Sequence, residues 1–285
     1  MTNSQEQNSS TSLTATATTT TTTKPTIPLN ELQLTHWNKT LQTLTPQEVL
    51  RWAIFTIPNL FQTTAFGLTG LCILDMLDKL DLPSELLDSE GKFPIQLVFI
   101  DTLYHFPQTL ELIDKIKTKY NRFALHIYQP EGCSNDTEFS AKYGDELWQK
   151  DDLKYDYLVK VEPLNRAYQE LGIAAVLTGR RRSQGGDRAS LPMVEFDSQM
   201  KVLKINPLAS WGFNDVYKYI KEHKVPYNEL LDLGYKSIGD WHSTEPIKEG
   251  EDERSGRWKG KAKTECGIHV ASKYSEFLNN GVTTK

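Results

Sequence analysis

Four short apolar runs, each closed by a polar or glycine-bearing turn, restrict the fold more than anything else in this sequence. They are Leu60 to Phe66, Ile95 to Ile100, Phe123 to Tyr128 and Ala174 to Thr178. Segments of helical spacing separate them. Thr45-Pro46-Gln47-Glu48 is a capping box with proline at the first helical position, opening a helix through Val49, Leu50, Trp52, Ala53 and Ile54 toward Pro58. Leu68, Leu71, Cys72, Met76 and Leu80 follow the first run at helical intervals, and Pro107 to Tyr120 places Leu110, Ile113 and Ile116 on one face. Further helices are expected over Leu158 to Leu171 and Phe213 to His223. Met193 to Phe196 and Lys201 to Ile205 flank Asp197-Ser198-Gln199-Met200 as a β-hairpin. Strands alternating with helices of this length predict an α/β fold, a doubly wound, mostly parallel sheet with helices on both faces. Ligands on such sheets bind at the carboxyl ends of the strands, so the turns after Phe66, Ile100 and Thr178 belong to one rim.

Composition sets the limits of this domain. Residues 1–28 form a Thr/Ser-rich tract with almost no large apolar side chains, which cannot offset the entropy of ordering and is expected to be disordered. The tract has no arginine, carries Glu6 and lacks an apolar stretch, which disfavours a transit or secretory leader; the expected location is cytoplasmic. Residues 29–233 are expected to form the α/β domain, and 234–285 a Gly-rich, charged arm that folds back over the rim as a lid. A net charge of −5 gives no general nucleic-acid footprint, and no apolar run approaches a membrane span.

The rim turns carry the first chemical signals. Strand, glycine turn and helix around Phe66-Gly67-Leu68-Thr69-Gly70 aim free backbone N–H groups at a phosphate. The turn lacks the lysine of a Walker A loop and the Ser-Gly-Gly-x-Asp-Ser pattern of ATP-activating pyrophosphatases, so alone it is a weak signal, more often just a turn. Thr178-Gly179-Arg180-Arg181-Arg182-Ser183-Gln184 is stronger, since adjacent arginines repel unless an anion compensates them; with Arg188 they could offer forks to phosphate or sulfate. The bland alternative is a solvated basic loop, or arginines paired to carboxylates. Asp101 and Thr102 read equally as an adenosine contact or as an N-cap for the helix at Pro107.

On the arm, Cys266 lies among Arg254, Arg257, Lys261 and Lys263, with His269 three residues on. Nearby positive charge stabilises a thiolate and would hold a polyanionic substrate against the sulfur. A lone cysteine is more often a small buried hydrophobe; here the charged, glycine-flanked setting favours an active-site segment. Cys72, on an apolar helix face, and Cys133, in a loop, read as structural. With three cysteines, none adjacent or in Cys-x-x-Cys spacing, neither a disulfide framework nor a metal site is expected.

Lys263-Thr264-Glu265-Cys266-Gly267-Ile268-His269 resembles the Glu-Cys-Gly-(Leu/Ile)-His signature of the phosphoadenylyl-sulfate (PAPS) reductases. Thr63-Thr64-Ala65-Phe66-Gly67-Leu68-Thr69-Gly70 resembles that family's modified phosphate loop, residues 178–184 its arginine loop, and Asp240-Trp241-His242-Ser243-Thr244 its Asp-(Tyr/Trp)-His-Ser-Thr segment. The similarity runs in order over about residues 30–280 and is nearest to the fungal enzymes. It implies a Rossmann-like, adenine nucleotide alpha hydrolase-like fold, and reduction of PAPS to sulfite and adenosine 3′,5′-bisphosphate in sulfate assimilation. Cys266 is then the nucleophile. The implied substrate contacts are Thr63, Thr64, Phe66, Gly67, Thr69, Asp101, Thr102, Arg180, Arg181, Arg182, Ser183, Gln184, His242, Arg254, Arg257, Trp258, Lys261, Lys263 and His269. In this context the phosphate loop would hold the phosphate–sulfate end. The resemblance also implies a homodimer, and it tips the two histidines from structural toward site roles.

Related adenylyl-sulfate reductases hold an iron–sulfur cluster on four cysteines, two of them adjacent. This chain has Tyr157, Leu158 and Val159 where the first pair would precede Val161-Glu162-Pro163-Leu164, so no bound cluster and no metal are expected. The implied mechanism is attack of the Cys266 thiolate on the sulfonate sulfur, giving a Cys266 S-sulfonate. No second cysteine neighbours Cys266, so an outside dithiol, thioredoxin or glutaredoxin, is expected to release the sulfite as reducing cosubstrate. An ATP-activating ligase, a non-catalytic nucleotide-binding or redox-sensing module and a cluster-type adenylyl-sulfate reductase are the competing readings.

Overall fold

The structure is a computed structural model that describes residues 29–261 and 263–280. The tract expected to be disordered lies outside the described residues. Helices α1 (Glu31–Leu41) and α2 (Pro46–Thr56) lead in, each opened by a reciprocal capping box, Asn30 with Gln33 and Thr45 with Glu48. The alternating core follows as β1 (Leu60–Thr63), α3 (Leu68–Asp78), β2 (Gln96–Ile100), α4 (Pro107–Lys119) and β3 (Leu125–Tyr128). Next come α5 (Asp136–Tyr143), short α6 (Leu147–Lys150) and α7 (Asp152–Asp156), a π-helical turn at Tyr157–Val161, and α8 (Glu162–Glu170). Then β4 (Ala175–Leu177), β5 (Val194–Asp197), β6 (Val202–Ile205) and α9 (Phe213–Glu222) complete the core, and α10 (Ser275–Asn280) ends the described chain.

The strands form one sheet in the order β3-β2-β1-β4-β6-β5. All neighbours are parallel except β5, which runs antiparallel to β6. The expected hairpin is present, and its second strand extends the parallel sheet by pairing with β4. Strand order reverses between β1 and β4, which opens the ligand crevice between the loops that follow them.

Alternate residues of each central strand feed two cores, as the two-residue period of a strand requires. Leu60, Leu97, Phe99, Ala175, Leu177, Leu203 and Ile205 join the cluster on one face, with α2, α3, α4 and α9. Phe61, Val98, Val176 and Val202 join the cluster on the other, with α5, the π-helical turn and α8. Burial on both faces explains why the strands read as continuous apolar runs.

Two boundaries differ from the sequence reading. The first strand stops at Thr63 because Phe66 takes a left-handed φ of 53° while its N–H donates to Thr64 Oγ1 (2.9 Å). The helix expected from Leu158 begins as the wider π-helical turn and becomes regular only at Glu162. Such turns are rare and recur at functional sites.

From Gly234 onward the chain returns across the carboxyl ends of the strands. It pairs His105 with Asp240, and Trp241 N–H donates to Tyr104 O (2.9 Å). Lys204 of β6 donates to Ile268 O (3.3 Å). The loops after β1 and β4 touch at Gly179, where a Cβ would lie 3.0 Å from Gly70 N and 3.4 Å from Thr69 Cβ. Gly179→Val should therefore lower stability by about 1–3 kcal/mol in urea unfolding and weaken nucleotide binding by spreading the two loops. Unchanged stability and binding would show that the close approach is dispensable.

Candidate active site

A cavity of about 250 Å³ opens at the strand ends, walled by the turns after β1, β2 and β4 and roofed by the C-terminal arm. Its first wall is Thr63, Thr64, Phe66, Gly67 and Thr69. Gly67 starts α3 with no side-chain cap, so the first-turn amides lie on the cavity side without a side-chain acceptor. Thr102 lines the second wall, buried and donating to Asp240 Oδ1 (2.6 Å). Asp101, at the same strand end, is turned away, accepting from Leu103 N–H and Gln129 Nε2 (both 2.9 Å).

The arginine loop is compensated differently from the sequence expectation. Arg180, Arg181, Gln184 and Arg188 line the cavity, yet each arginine already faces a carboxylate. Arg180 pairs with Glu195 of β5. Arg181 donates to both oxygens of Glu253 (2.7 Å each) and to Thr69 Oγ1 (2.9 Å). Arg188 grips both oxygens of Glu265 (2.5 and 2.6 Å), which Arg254 also meets at 3.3 Å. The repulsion that seemed to demand an external anion is thus relieved largely by the arm itself. Arg182 donates to Leu191 O (2.7 Å) and Ser183 to Trp211 O (2.9 Å), both off the cavity wall.

Beneath the arm lies a charged group that the sequence reading missed. Lys160, in the π-helical turn, is buried between Asp156 (2.9 Å) and Asp240 (2.7 Å). Tyr155 OH also reaches Asp240 (3.2 Å). Burial acts to raise the Asp240 carboxyl, and Lys160, helped by His105 and Thr102, more than reverses this and holds it well below the usual range. Burial likewise disfavours the Lys160 ammonium, but the two carboxylates raise its pKa above the ordinary lysine value. The sequence signal was an Asp–Lys pair four residues apart inside an apolar run, Asp156 to Lys160.

Cys266 sits half-buried on the cavity wall with Lys160, Arg257 and Arg254 around it. The expectation that cations would depress its pKa is corrected here. Burial pushes the thiol up, and Asp156 adds to that, against the pull of Lys160, the backbone and Arg257. Lys261 and Lys263, expected to serve the thiolate, are drawn off the wall: Lys261 binds Asp152 (3.0 Å) and Trp148 O (2.8 Å), and Lys263 pairs with Asp152 and Asp156.

Arg257 has no carboxylate partner among the described residues. It donates to Ser237 Oγ and Ile238 O (3.4 and 3.3 Å), stacks over Trp258 at 4.5 Å, and leaves its buried Nε unpaired. Gly239 makes room for it, since a Cβ there would lie 2.2 Å from Nη2. A guanidinium with a buried, unpaired Nε and no carboxylate beside it, lining a cavity, is what an anion would complete. His269 also lines the cavity with a buried, unpaired Nδ1, and its burial and surrounding cations hold its pKa far below the ordinary value. His242 stands off the wall, stacked on Trp148 at 4.2 Å and bonded to Tyr155 OH (2.9 Å), its pKa lowered to about 4 by burial. Cys72 is buried in α3, its thiol pushed up to about 12, and Cys133 is buried in the loop before α5. Among the described residues no group of three His, Cys, Asp or Glu side chains is placed to hold a metal ion.

The family model of the phosphoadenosine phosphosulfate reductase domain matches residues 59–246. A phosphoadenosine phosphosulfate reductase from Saccharomyces cerevisiae is 59% identical over 250 residues, covering 86% of this chain and 93% of that one. The chain belongs to the phosphoadenosine phosphosulfate reductase family. A crystal structure of phosphoadenylyl-sulfate (PAPS) reductase from Candida auris, in a phosphate complex, superposes with a TM-score of 0.70 at 55% identity, over 78% of this chain and all of that one. An FMN adenylyltransferase from Candida glabrata shares the fold alone, with a TM-score of 0.52 at 15% identity over 89% of this chain and 86% of that one. A Bacillus subtilis protein named adenosine 5′-phosphosulfate reductase 2 is 36% identical over 240 residues, covering 82% of this chain and 95% of that one. Proteins named for the substrate with and without the 3′-phosphate are thus both related to this chain.

Replacing Lys160 tests the electrostatics of the site. In the wild type, iodoacetamide should modify Cys266 with a midpoint pH above that of a free thiol, about 8.5. Lys160→Met removes a cation that favours the thiolate, so the midpoint should move further up, and stability should fall by about 3–5 kcal/mol because Asp240 loses its buried partner. A midpoint that moves down would contradict this placement of the charges.

Proposed function

We propose that this enzyme reduces PAPS to sulfite and adenosine 3′,5′-bisphosphate through a Cys266 S-sulfonate, with thioredoxin as the reductant. One observation carries the reading: the arm brings the Cys266 thiol into the same cavity as the phosphate loop, the arginine loop and Arg257, whose Nε is unpaired. The phosphosulfate lies against Arg257, Arg254, Lys160 and His269, within reach of the sulfur. The adenosine extends toward Thr102 and the end of β2. Residues 234–285 act as a lid.

In the first half-reaction the thiolate attacks the sulfonate sulfur. The new S–S bond forms as the S–O bond to phosphate breaks, and the bisphosphate leaves with the electron pair. Its developing charge is met by preorganised cations in a roofed site. Burial, with Asp156 adding to it, raises the thiol pKa, and Lys160 and Arg257 work against that rise in favour of the attacking thiolate.

In the second half-reaction a thioredoxin thiolate attacks the Cys266 sulfur, expelling sulfite and forming a mixed disulfide. The second thioredoxin thiol resolves this, so thioredoxin is oxidised by two electrons and Cys266 returns as thiolate. Among the described residues the other cysteines are buried, which leaves the resolving thiol to the partner. The arm must open for this step, so lid motion belongs to turnover.

The test is a coupled assay with PAPS, thioredoxin, thioredoxin reductase and NADPH, reading sulfite and bisphosphate separately. Wild type should form them in equal amounts, and Cys266→Ser should lose at least ~10³-fold in kcat while keeping bisphosphate affinity. Turnover by Cys266→Ser near the wild-type rate would refute the assignment of the nucleophile.

A further inference from the structure

The cavity holds two cations without a carboxylate partner among the described residues, Arg257 and Lys236. Arg257 is grouped with Cys266, Lys160 and Arg254. Lys236 lines the same cavity beside Tyr235 and Ser237, but its ammonium lies 5.4 Å from the centroid of the Phe213 ring, at the start of α9. Two residues before Phe213, the Trp211 carbonyl accepts from Ser183 Oγ (2.9 Å) and from Arg181 (3.4 Å). Arg181 in turn is bonded to Thr69 of the phosphate loop. Lys236 therefore stands where the start of α9 meets the cavity, one residue before the Ser237 that Arg257 reaches.

PAPS has two anionic groups, the phosphosulfate and the 3′-phosphate, held apart by the ribose. The phosphosulfate has to lie where Cys266 can reach its sulfur, which is the Arg257 side. Arg180, Arg181 and Arg188 are each neutralised by a carboxylate, so they offer a second anion less net charge than Lys236 does. An ammonium resting on an aromatic face keeps its full charge and gives up only a weak contact to turn onto a phosphate. The same cavity is lined by the first turn of α3, which begins without a side-chain cap and favours a phosphate.

We propose that Lys236 is the specificity-determining residue that reads the 3′-phosphate, selecting PAPS over adenylyl sulfate. This rests on the reading of the site given above, and it moves the phosphate loop from the phosphosulfate to the 3′-phosphate end.

The experiment compares calorimetric affinities for adenosine 3′,5′-bisphosphate and AMP in wild type, Lys236→Met and Lys236→Arg, alongside the coupled assay with PAPS and adenylyl sulfate. Loss of one charge-assisted contact should cut bisphosphate affinity ~10- to 100-fold more than AMP affinity in Lys236→Met, with kcat/KM for PAPS falling in the same proportion relative to adenylyl sulfate. Lys236→Arg should recover most of the preference. If wild type prefers the bisphosphate and Lys236→Met keeps that preference, or weakens both nucleotides equally, the assignment is overturned while the reductase reading stands. If wild type reduces neither sulfated nucleotide, the reductase reading fails, and this inference with it.

Discussion

Lys160 is buried beneath the arm, and a buried ammonium is tolerable only when carboxylates and hydrogen bonds replace its hydration. Asp156 from α7 and Asp240 from the arm supply them, at 2.9 and 2.7 Å. Asp240 also accepts from Thr102 at the end of β2 and from Tyr155 of α7, so one residue ties the arm to the second rim loop and to α7. Asp156 reaches the far end of the arm through Lys263 and Tyr274 OH (3.2 Å). The position of Cys266 follows from this frame. Gly267, next to it, packs where a Cβ would lie 2.8 Å from Tyr274 OH and 3.1 Å from Val161 Cγ2.

A second set of contacts joins the arm to the arginine loop. Glu253 meets Arg181 and Glu265 meets Arg188, each through two hydrogen bonds and with both partners buried. Arg188 grips Glu265 through two nitrogens, a fork that fixes orientation as well as supplying energy, while Arg181 reaches both Glu253 oxygens from Nη2 alone. These pairs hold the sulfur-bearing segment over the crevice at the sheet's switch point, and they leave Arg257 and Lys236 as the cavity cations without carboxylates among the described residues. The charge free to meet a substrate is therefore concentrated at two places rather than spread over a basic loop.

The fold was legible because its strands are buried on both faces and separated by helical spacing, so Val98, Phe99, Val176 and Leu177 announce a parallel sheet without help from partners. The rim loops were legible for the same topological reason. Individual side-chain roles were less so. Arg180–Arg182 look alike in sequence, but a loop fans them in three directions, onto Glu195, Glu253 and the Leu191 carbonyl. Lys261 and Lys263 sit as near Cys266 in sequence as Arg257 does, yet Asp152 and Asp156, more than a hundred residues earlier, pull them aside. Lys160 passed unnoticed because its value comes from Asp240, which no local pattern links to it. Long-range charge pairing is what sequence spacing does not encode, and burial, with Asp156 adding to it, is what reversed the expected direction of the Cys266 pKa.

The central claim is that Cys266 takes the sulfonate from PAPS before any reductant acts. The most direct measurement is intact mass with peptide mapping after the reduced protein is mixed with PAPS in the absence of thiols. The account predicts one sulfonate per chain, located on the peptide containing Cys266, with a stoichiometric amount of adenosine 3′,5′-bisphosphate released, and loss of the group as sulfite on adding reduced thioredoxin. Bisphosphate and sulfite formed with reductant present, but no adduct on Cys266 without it, would contradict the account and place the chemistry elsewhere.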